Sequence, residues 1–368
     1  MTGQQRADGS MRIGILTHVK HPVRQPFAGG LEAFTYDITL QLRERGHAVT
    51  LFASSASAPE LEVVPILDDG NYGADGCRRK RNVLSSEYLD EHHGYLDCMQ
   101  RIDGYGFDVV FNNSLHYVPV TMSGLIRTPM LTVLHTPPFF ELINAIGELH
   151  RRGGGHYCTV SQANADSWAQ LAPGCHVIPN GIDLAAWRPG SAPIGEHALW
   201  FGRLVPDKGP HLALDAAREA GVPLRLAGQA TDERYFRQEI EARLGEQAVY
   251  LGHLDRTALA AEVAQARACL VTPCWDEPFG LIVAEALACG TPVAAIARGA
   301  LPELLTAETG ALAPPGDVPA LAAALREALS LSREACRARA EAQWSHRLMI
   351  DRYERLLADV AAGRVARG

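Results

Sequence analysis

Short apolar runs of four to eight residues recur along nearly the whole chain, and stretches of helical periodicity separate them. This alternation is the strongest constraint on the fold. A strand that is apolar along its whole length must be buried on both faces, and strands joined through helices run parallel. The expectation is α/β: parallel sheets covered by helices on both sides.

The first strand reads Arg12–Val19, and Ala48–Ala53 follows as the second. Between them a helix opens at Gly29–Gly30, carries Leu31, Phe34, Ile38 and Leu42 at helical spacing, and stops at Gly46. Further strands are expected at 62–66, 108–112, 130–135, 156–160 and 176–179. A second series begins near His197, with strands at Leu199–Phe201, Leu224–Ala227, Val249–Leu251, Cys269–Thr272 and Pro292–Ile296. Helices are expected at 209–220, 232–245, 255–267 and 281–289, and a last one at 346–361 with Met349, Tyr353, Leu356 and Val360 in one stripe.

At 368 residues the chain exceeds the roughly 250–300 at which one core stops growing, so two domains are expected. Residues 184–196 hold Pro189, Gly190, Pro193 and Gly195, a composition suited to a linker. The reading is a polar leader or tag over 1–10, disordered, then a first domain over 11–190 and a second over 191–345. The C-terminal helix, 346–368, is a candidate to cross back to the first domain.

The formal charge of −8 argues against a general affinity for nucleic acid. One basic run, Arg78 to Arg81, lies in a Gly- and Asp-rich loop at 67–84. A solvated loop is the favoured reading, with contact to an acceptor or a peripheral membrane surface as the alternative. The eight cysteines form no CxxC pair and show no zinc spacing, so buried, reduced thiols in a cytoplasmic protein are expected. No apolar run reaches the ~20 residues of a membrane span.

The segment Trp275-Asp-Glu-Pro-Phe-Gly-Leu-Ile-Val-Ala-Glu285 carries the most chemistry. It runs from a strand through a loop into a helix near Leu281. The free N–H groups of residues 280–282 would form an anion site at the carboxyl edge of the sheet, where open α/β sheets bind ligands. Taken alone, Glu277 is also what a helix-dipole charge looks like, and Glu285 a solvated helix residue.

Glu277 to Glu285 resembles the E-x7-E signature of the retaining glycosyltransferase family 4, whose members have the GT-B fold: two Rossmann-like domains with a cleft between them. The resemblance implies that Glu277 binds hydroxyls of the donor sugar. It implies that Phe279, Gly280, Leu281 and Ile282 line the sugar and phosphate site through their backbone, and that Glu285 holds the ribose. Phe201-Gly-Arg-Leu-Val-Pro-Asp-Lys-Gly209 is similar to the family's G-R-x4-K-G segment, and implies that Arg203 and Lys208 bind the diphosphate. Gly228 and the Gly252-His-Leu254 segment resemble strand ends beside the nucleotide, and Val177 to Asp183 resembles an interdomain N-G-[IV]-D segment. In the first domain, Gly30 at the helix start and His135 at a strand end resemble donor-side residues. Val160-Ser161 resembles a strand end near the cleft, and His18 and His21 lie near the first strand.

The implied activity is retaining transfer of a sugar from a nucleotide diphosphate donor to an acceptor hydroxyl. UDP is favoured, with GDP and ADP open, and the acceptor is a saccharide, lipid or small metabolite. No Asp-x-Asp element is present, so no obligatory metal or other cofactor is expected: Arg203, Lys208 and the helix start would meet the phosphate charge. Departure and attack would share one face of the sugar, with domain closure around the reactants. The alternatives are a nucleotide-sugar epimerase, a phosphorylase on the same scaffold, and a non-catalytic nucleotide- or sugar-binding protein.

Overall fold

The computed structural model describes residues 9–67 and 86–367. The leader and the basic loop with Arg78–Arg81 and Cys77 lie almost wholly outside the described residues. The chain forms two compact units.

Unit 1 comprises Met1–Val160, Ala165–Ile178 and Ile350–Gly368. Its elements begin β1 (Arg12–Thr17), α1 (Gly30–Glu44), β2 (Ala48–Ala53), β3 (Val64–Pro65), α2 (Ser86–Arg101), β4 (Val109–Asn113) and α3 (Tyr117–Met122). They continue β5 (Met130–Leu134), α4 (Phe140–Arg151), β6 (His156–Thr159), α5 (Gln162–Trp168) and β7 (His176–Val177). Among the described residues seven parallel strands lie in the order β3-β2-β1-β4-β5-β6-β7. The order reverses direction between β1 and β4, which makes that point the topological switch of the sheet.

Unit 2 comprises Ser161–Asn164 and Pro179–Met349. It contains β8 (Ala198–Phe201), α6 (Pro210–Ala220), β9 (Leu224–Ala227), α7 (Glu233–Tyr235), β10 (Ala248–Tyr250), α8 (Arg256–Gln265) and β11 (Ala268–Val271). It continues with α9 (Leu281–Ala288), β12 (Val293–Ile296), α10 (Leu301–Leu304), β13 (Gly310–Ala313), α11 (Val318–Ala328) and α12 (Arg333–Gln343). Six parallel strands lie in the order β10-β9-β8-β11-β12-β13, and the switch point falls between β8 and β11.

The strands are mostly apolar and lie inside: every residue of β4, β5, β8, β11 and β12 is buried, including the polar Asn112, Asn113 and Thr132. The last helix, α13 (His346–Ala361), turns Tyr353 into the core of unit 1, edge-on to Phe34 at 5.7 Å and tilted over Phe111 at 5.2 Å. Arg45 fixes its outer face through Asp351 and Glu354, both at 2.6 Å.

Several elements differ from the expectation. β1 ends at Thr17, which leaves His18 in a loop. The strand expected at 62–66 contracts to two residues because Glu62 takes φ 47°, a left-handed conformation incompatible with a strand. The one expected at 176–179 ends at Val177, two residues short of Pro179, which has no N–H for a ladder. Residues 179–190, assigned by composition to the first domain, cluster with unit 2. There Ile182 N–H donates to the Trp344 carbonyl at 2.7 Å and Trp187 stacks on Phe201 at 6.3 Å.

The helix expected at 232–245 breaks into α7, a π segment over Phe236–Ile240 and a 3-10 turn over Glu241–Arg243. Tyr235 and Ile240 both enter the core. Residues five apart fall on different faces of a regular α-helix, and a widened turn brings them toward one face. Of the described cysteines, Cys274 is exposed and Cys175 partly so, and the remainder are buried; none forms a disulfide. Among the described residues no helix is long and apolar enough to cross a membrane.

Candidate active site

The carboxyl edge of the unit 2 sheet is shaped first by glycine. β8, β9 and β10 give way to Gly202, Gly228 and Gly252, all at positive φ. The Gly202 N–H donates to the Ala227 carbonyl at 3.0 Å, and the Gly228 N–H to the Gly252 carbonyl at 2.8 Å. A Cβ on Gly228 would lie 1.7 Å from the Gly202 carbonyl oxygen, so the position admits only glycine.

Two loops then meet at the switch point. The loop after β8 carries Arg203 and Lys208; the loop after β11 carries Trp275 and Glu277. Thr272 stitches them together: its hydroxyl donates to the carbonyls of Lys208 and Gly209 at 3.1 and 2.8 Å and accepts the Trp200 indole N–H at 3.0 Å. Gly209, at φ 62°, permits the contact, because a Cβ there would stand 2.2 Å from the Thr272 carbonyl. The Cys274 N–H adds a bond to the Asp207 carbonyl at 2.8 Å. From the other side, Gly299 lies under the Glu277 backbone, and the Ala300 N–H donates to the Glu277 carbonyl at 2.8 Å.

On this frame Lys208 Nζ stands 2.6 Å from Glu277 Oε2, with both side chains largely buried. The Trp275 indole N–H reaches the same oxygen at 3.1 Å, and Lys208 Nζ lies 5.0 Å from the centroid of the Trp275 ring. The other oxygen, Oε1, has no hydrogen-bond partner among the described residues. Arg203 is exposed and its guanidinium forms no ion pair among them. Its loop lies against the first turn of α9, where a Cβ at Gly202 would be 3.4 Å from Ile282 Cδ1.

Gly280 caps α9 at φ 94°, and a Cβ there would meet Leu301 at 2.6 Å. The N–H groups of Leu281 and Ile282, in the first turn, have no intrahelical acceptor. The Phe279 side chain turns away into the core and meets Trp344 edge-on at 6.4 Å. Glu285 lies one turn further, with no hydrogen bond to its carboxyl among the described residues. Burial pushes that carboxyl up to about 8, opposed by the charge of Arg256. Leu254 lies in the loop after β10, partly buried. Thus the structure brings Arg203, Lys208, Glu277 and the start of α9 to one sheet edge, and Gly228 and Leu254 to the adjoining strand ends.

Unit 1 has its own cluster at the corresponding edge. His135 follows β5, and its Nε2 lies 2.8 Å from Asn113 Oδ1 at the end of β4. Asn113 Nδ2 donates to the Phe111 carbonyl, so Oδ1 accepts from the imidazole, and His135 Nδ1 is the free acceptor. Burial, with a smaller effect from His18, lowers His135 to about 3 and keeps it neutral. Phe34 packs edge-on against it at 4.9 Å. His18 Nε2 pairs with buried Glu32 Oε1 at 3.0 Å in the first turn of α1, and His21 lies edge-on to His18 at 6.1 Å. Gly30 is the exposed first residue of that helix, and Val160 is buried just past β6; the next residue, Ser161, belongs to unit 2.

Sequence reasoning did not single out Trp275, Asn113 or Glu32. Trp275 had a signal, since residues two apart in an extended loop share a side, and so had Asn113, a polar residue closing an apolar strand. Glu32 had only its place in a helix's first turn. Among the described residues no three His, Cys, Asp or Glu side chains converge as metal ligands.

Comparison with known proteins bears on the site. Residues 194–343 match the model of glycosyl transferases group 1, and residues 28–186 that of glycosyltransferase family 4. The chain is 38% identical to a glycogen synthase of Mycobacterium tuberculosis over 87% of this chain and 86% of that one. It is 27% identical to a D-inositol 3-phosphate glycosyltransferase of Mycolicibacterium smegmatis over 95% and 92%. Similar solved folds include a sucrose-phosphate synthase of Thermosynechococcus elongatus (TM-score 0.74, 20% identity, 96% and 100% covered). An Anabaena protein, HepE, in complex with UDP and glucose has TM-score 0.71 at 20% identity, with 95% and 99% covered. The fold these share with the two sheets above is GT-B, built from two Rossmann-like domains.

Proposed function

The chain belongs to the group 1 glycosyltransferases, family 4, and on that premise we propose that it transfers a sugar from a nucleotide diphosphate sugar to an acceptor hydroxyl with retention of configuration. The observation that carries this reading is the Lys208–Glu277 pair, 2.6 Å apart at the switch point and beside the start of α9, whose first N–H groups lack an intrahelical acceptor. A diphosphate needs cations and free N–H groups; a sugar needs a carboxylate acceptor. Both lie at one sheet edge.

In this reading Arg203, Lys208 and the N–H groups of Leu281 and Ile282 receive the diphosphate and stabilise the charge that grows on it as the glycosidic bond breaks. Glu277 Oε1, free of other bonds, accepts from hydroxyls of the donor sugar. Glu285 holds the ribose, and Gly228 and Leu254 border the nucleotide. His135, neutral, contacts the sugar as a hydrogen-bonding group and not as a cation. UDP is the preferred nucleotide, a preference supported by the Anabaena protein solved with UDP and glucose. Retention rests on the resemblance of Glu277–Glu285 to the E-x7-E signature. With the leaving diphosphate positioned beside the acceptor, its oxygen takes the acceptor's proton on the same face of the sugar. These groups supply the positive charge themselves, so the reaction is read as needing no metal.

A thermal-shift screen of UDP, GDP and ADP with their common sugars identifies the donor, because a ligand that binds only the folded state raises its melting temperature. The mass balance then decides the reaction. Equimolar nucleoside diphosphate and glycosylated acceptor are expected; an isomerised donor or binding without turnover rejects the reading.

A further inference from the structure

Resting on that reading, we propose that Trp275 is a positioning residue for the transfer, holding Glu277 through its indole N–H and Lys208 through its ring face. It lies outside the pair of carboxylates that defines the segment, and no part of the mechanism above uses it.

Three observations carry the assignment. The indole N–H lies 3.1 Å from Glu277 Oε2, the oxygen that Lys208 also contacts. With that oxygen held by two donors, the carboxylate is restrained from rotating, and Oε1 is the one left for a ligand. Lys208 Nζ lies 5.0 Å from the ring centroid, within the range in which an aromatic face attracts an ammonium ion. The backbone leading into Trp275 is itself held. The Cys274 carbonyl accepts from Arg298 Nη1 at 3.1 Å and the Cys274 N–H donates to the Asp207 carbonyl at 2.8 Å, so the residue before Trp275 is tied on both sides. One side chain therefore restrains both the sugar-binding carboxylate and the phosphate-binding cation before any ligand arrives.

The two functions separate by substitution. Trp275→Phe keeps an aromatic face for Lys208 and removes the N–H; Trp275→Leu removes both. Binding of UDP is measured by calorimetry, and kcat by UDP release from the UDP-sugar that the wild type turns over fastest. Trp275→Phe is expected to lower kcat about tenfold, the effect of roughly one hydrogen bond, with the Kd for UDP within about twofold of wild type. Trp275→Leu is expected to match that loss in kcat and also to weaken UDP binding about threefold to tenfold, as loss of an aromatic partner for the cation. Melting temperatures are recorded for both. Wild-type kcat in Trp275→Phe overturns the proposal. So does a joint fall of kcat and UDP affinity in both variants that tracks their loss of melting temperature, which is the signature of a space-filling indole. If wild-type protein binds none of UDP, GDP and ADP and releases none of them from a nucleotide sugar, the functional reading fails first; if the wild type turns over and Trp275→Phe matches it, only this proposal fails.

Discussion

Lys208 and Glu277 are 69 residues apart in sequence and meet at 2.6 Å over the ends of β8 and β11, adjacent strands whose connections leave in opposite directions. An ion pair at that place, ready-made in the free protein, gives a ligand two opposite charges to separate. An anion draws the ammonium and a hydroxyl donor draws the carboxylate.

Replacing either partner is therefore expected to lower turnover strongly. For Lys208→Ala or Glu277→Gln the loss of a charge-assisted bond in the transition state, ~1.5–3 kcal/mol, corresponds to about tenfold to a hundredfold in kcat. Because the two groups share one site, the double variant should lose much less than the product of the single losses. Initial rates with the preferred donor test this, with circular dichroism as the control for folding; wild-type rates in both single variants exclude the assignment.

Glu285 should make donor binding depend on pH. Burial holds its carboxyl up to about 8, so in the free protein it is mostly protonated at neutral pH and ionises as the pH rises through that value. A carboxylate that accepts from ribose hydroxyls would then bind the donor more tightly at pH 9 than at pH 7. Glu285→Gln, fixed in the neutral form, should show a flat profile, and calorimetric titration at both pH values distinguishes them. The stability effect has a definite sign. The folded state keeps a proton that the unfolded state releases near pH 4.5, so wild-type stability declines from there to about pH 8. Glu285→Gln should gain melting temperature relative to wild type as the pH rises.

His135 should remain uncharged across the working range. Burial lowers it to about 3, below its usual 6.5, so its imidazole resonances should show the neutral form down to pH 5. Here the unfolded chain takes up the proton first. Stability is lost as the pH falls below about 6.5, and the loss grows toward pH 3. Urea unfolding of wild type and His135→Gln between pH 5 and 8 should show the difference shifting in favour of the variant in acid.

At the strand ends, Gly228→Ala and Gly209→Ala should both destabilise unit 2. An alanine Cβ would stand 1.7 Å from the Gly202 carbonyl in the first case and 2.2 Å from the Thr272 carbonyl in the second. The left-handed backbone at Gly209 adds about 1–3 kcal/mol of its own. Gly221→Ala is the matched control: it has φ 71° but nothing within 4 Å of the added Cβ. It should lose less melting temperature than either.

The strands were readable because burial on both faces leaves continuous apolar runs such as Met130–Leu134 and Ala198–Phe201. β13 escaped because Gly-Ala-Leu-Ala is poor in β-branched and aromatic residues. α2 escaped because two histidines, a mid-helix glycine and several charges dilute its apolar stripe. Glu277, Lys208 and Arg203 were legible as charged residues just past strand ends, in segments short enough to recognise. The ion pair was not, since nothing in either segment states that their strands are neighbours. Nor was the neutral state of His135, which depends on how deeply the folded chain buries it and, to a smaller extent, on His18.

Three consecutive strand ends in unit 2 turn on glycines, and at one of them a neighbouring carbonyl already occupies the room a side chain would need. At Gly228 a side chain cannot be added without moving the neighbouring strand end, and the positive φ at Gly202 and Gly252 disfavours one there. Chemical diversity along this rim must come from the residues that follow each glycine, Arg203, Gln229 and His253, which makes those three positions the natural targets for a library meant to change the ligand and spare the scaffold.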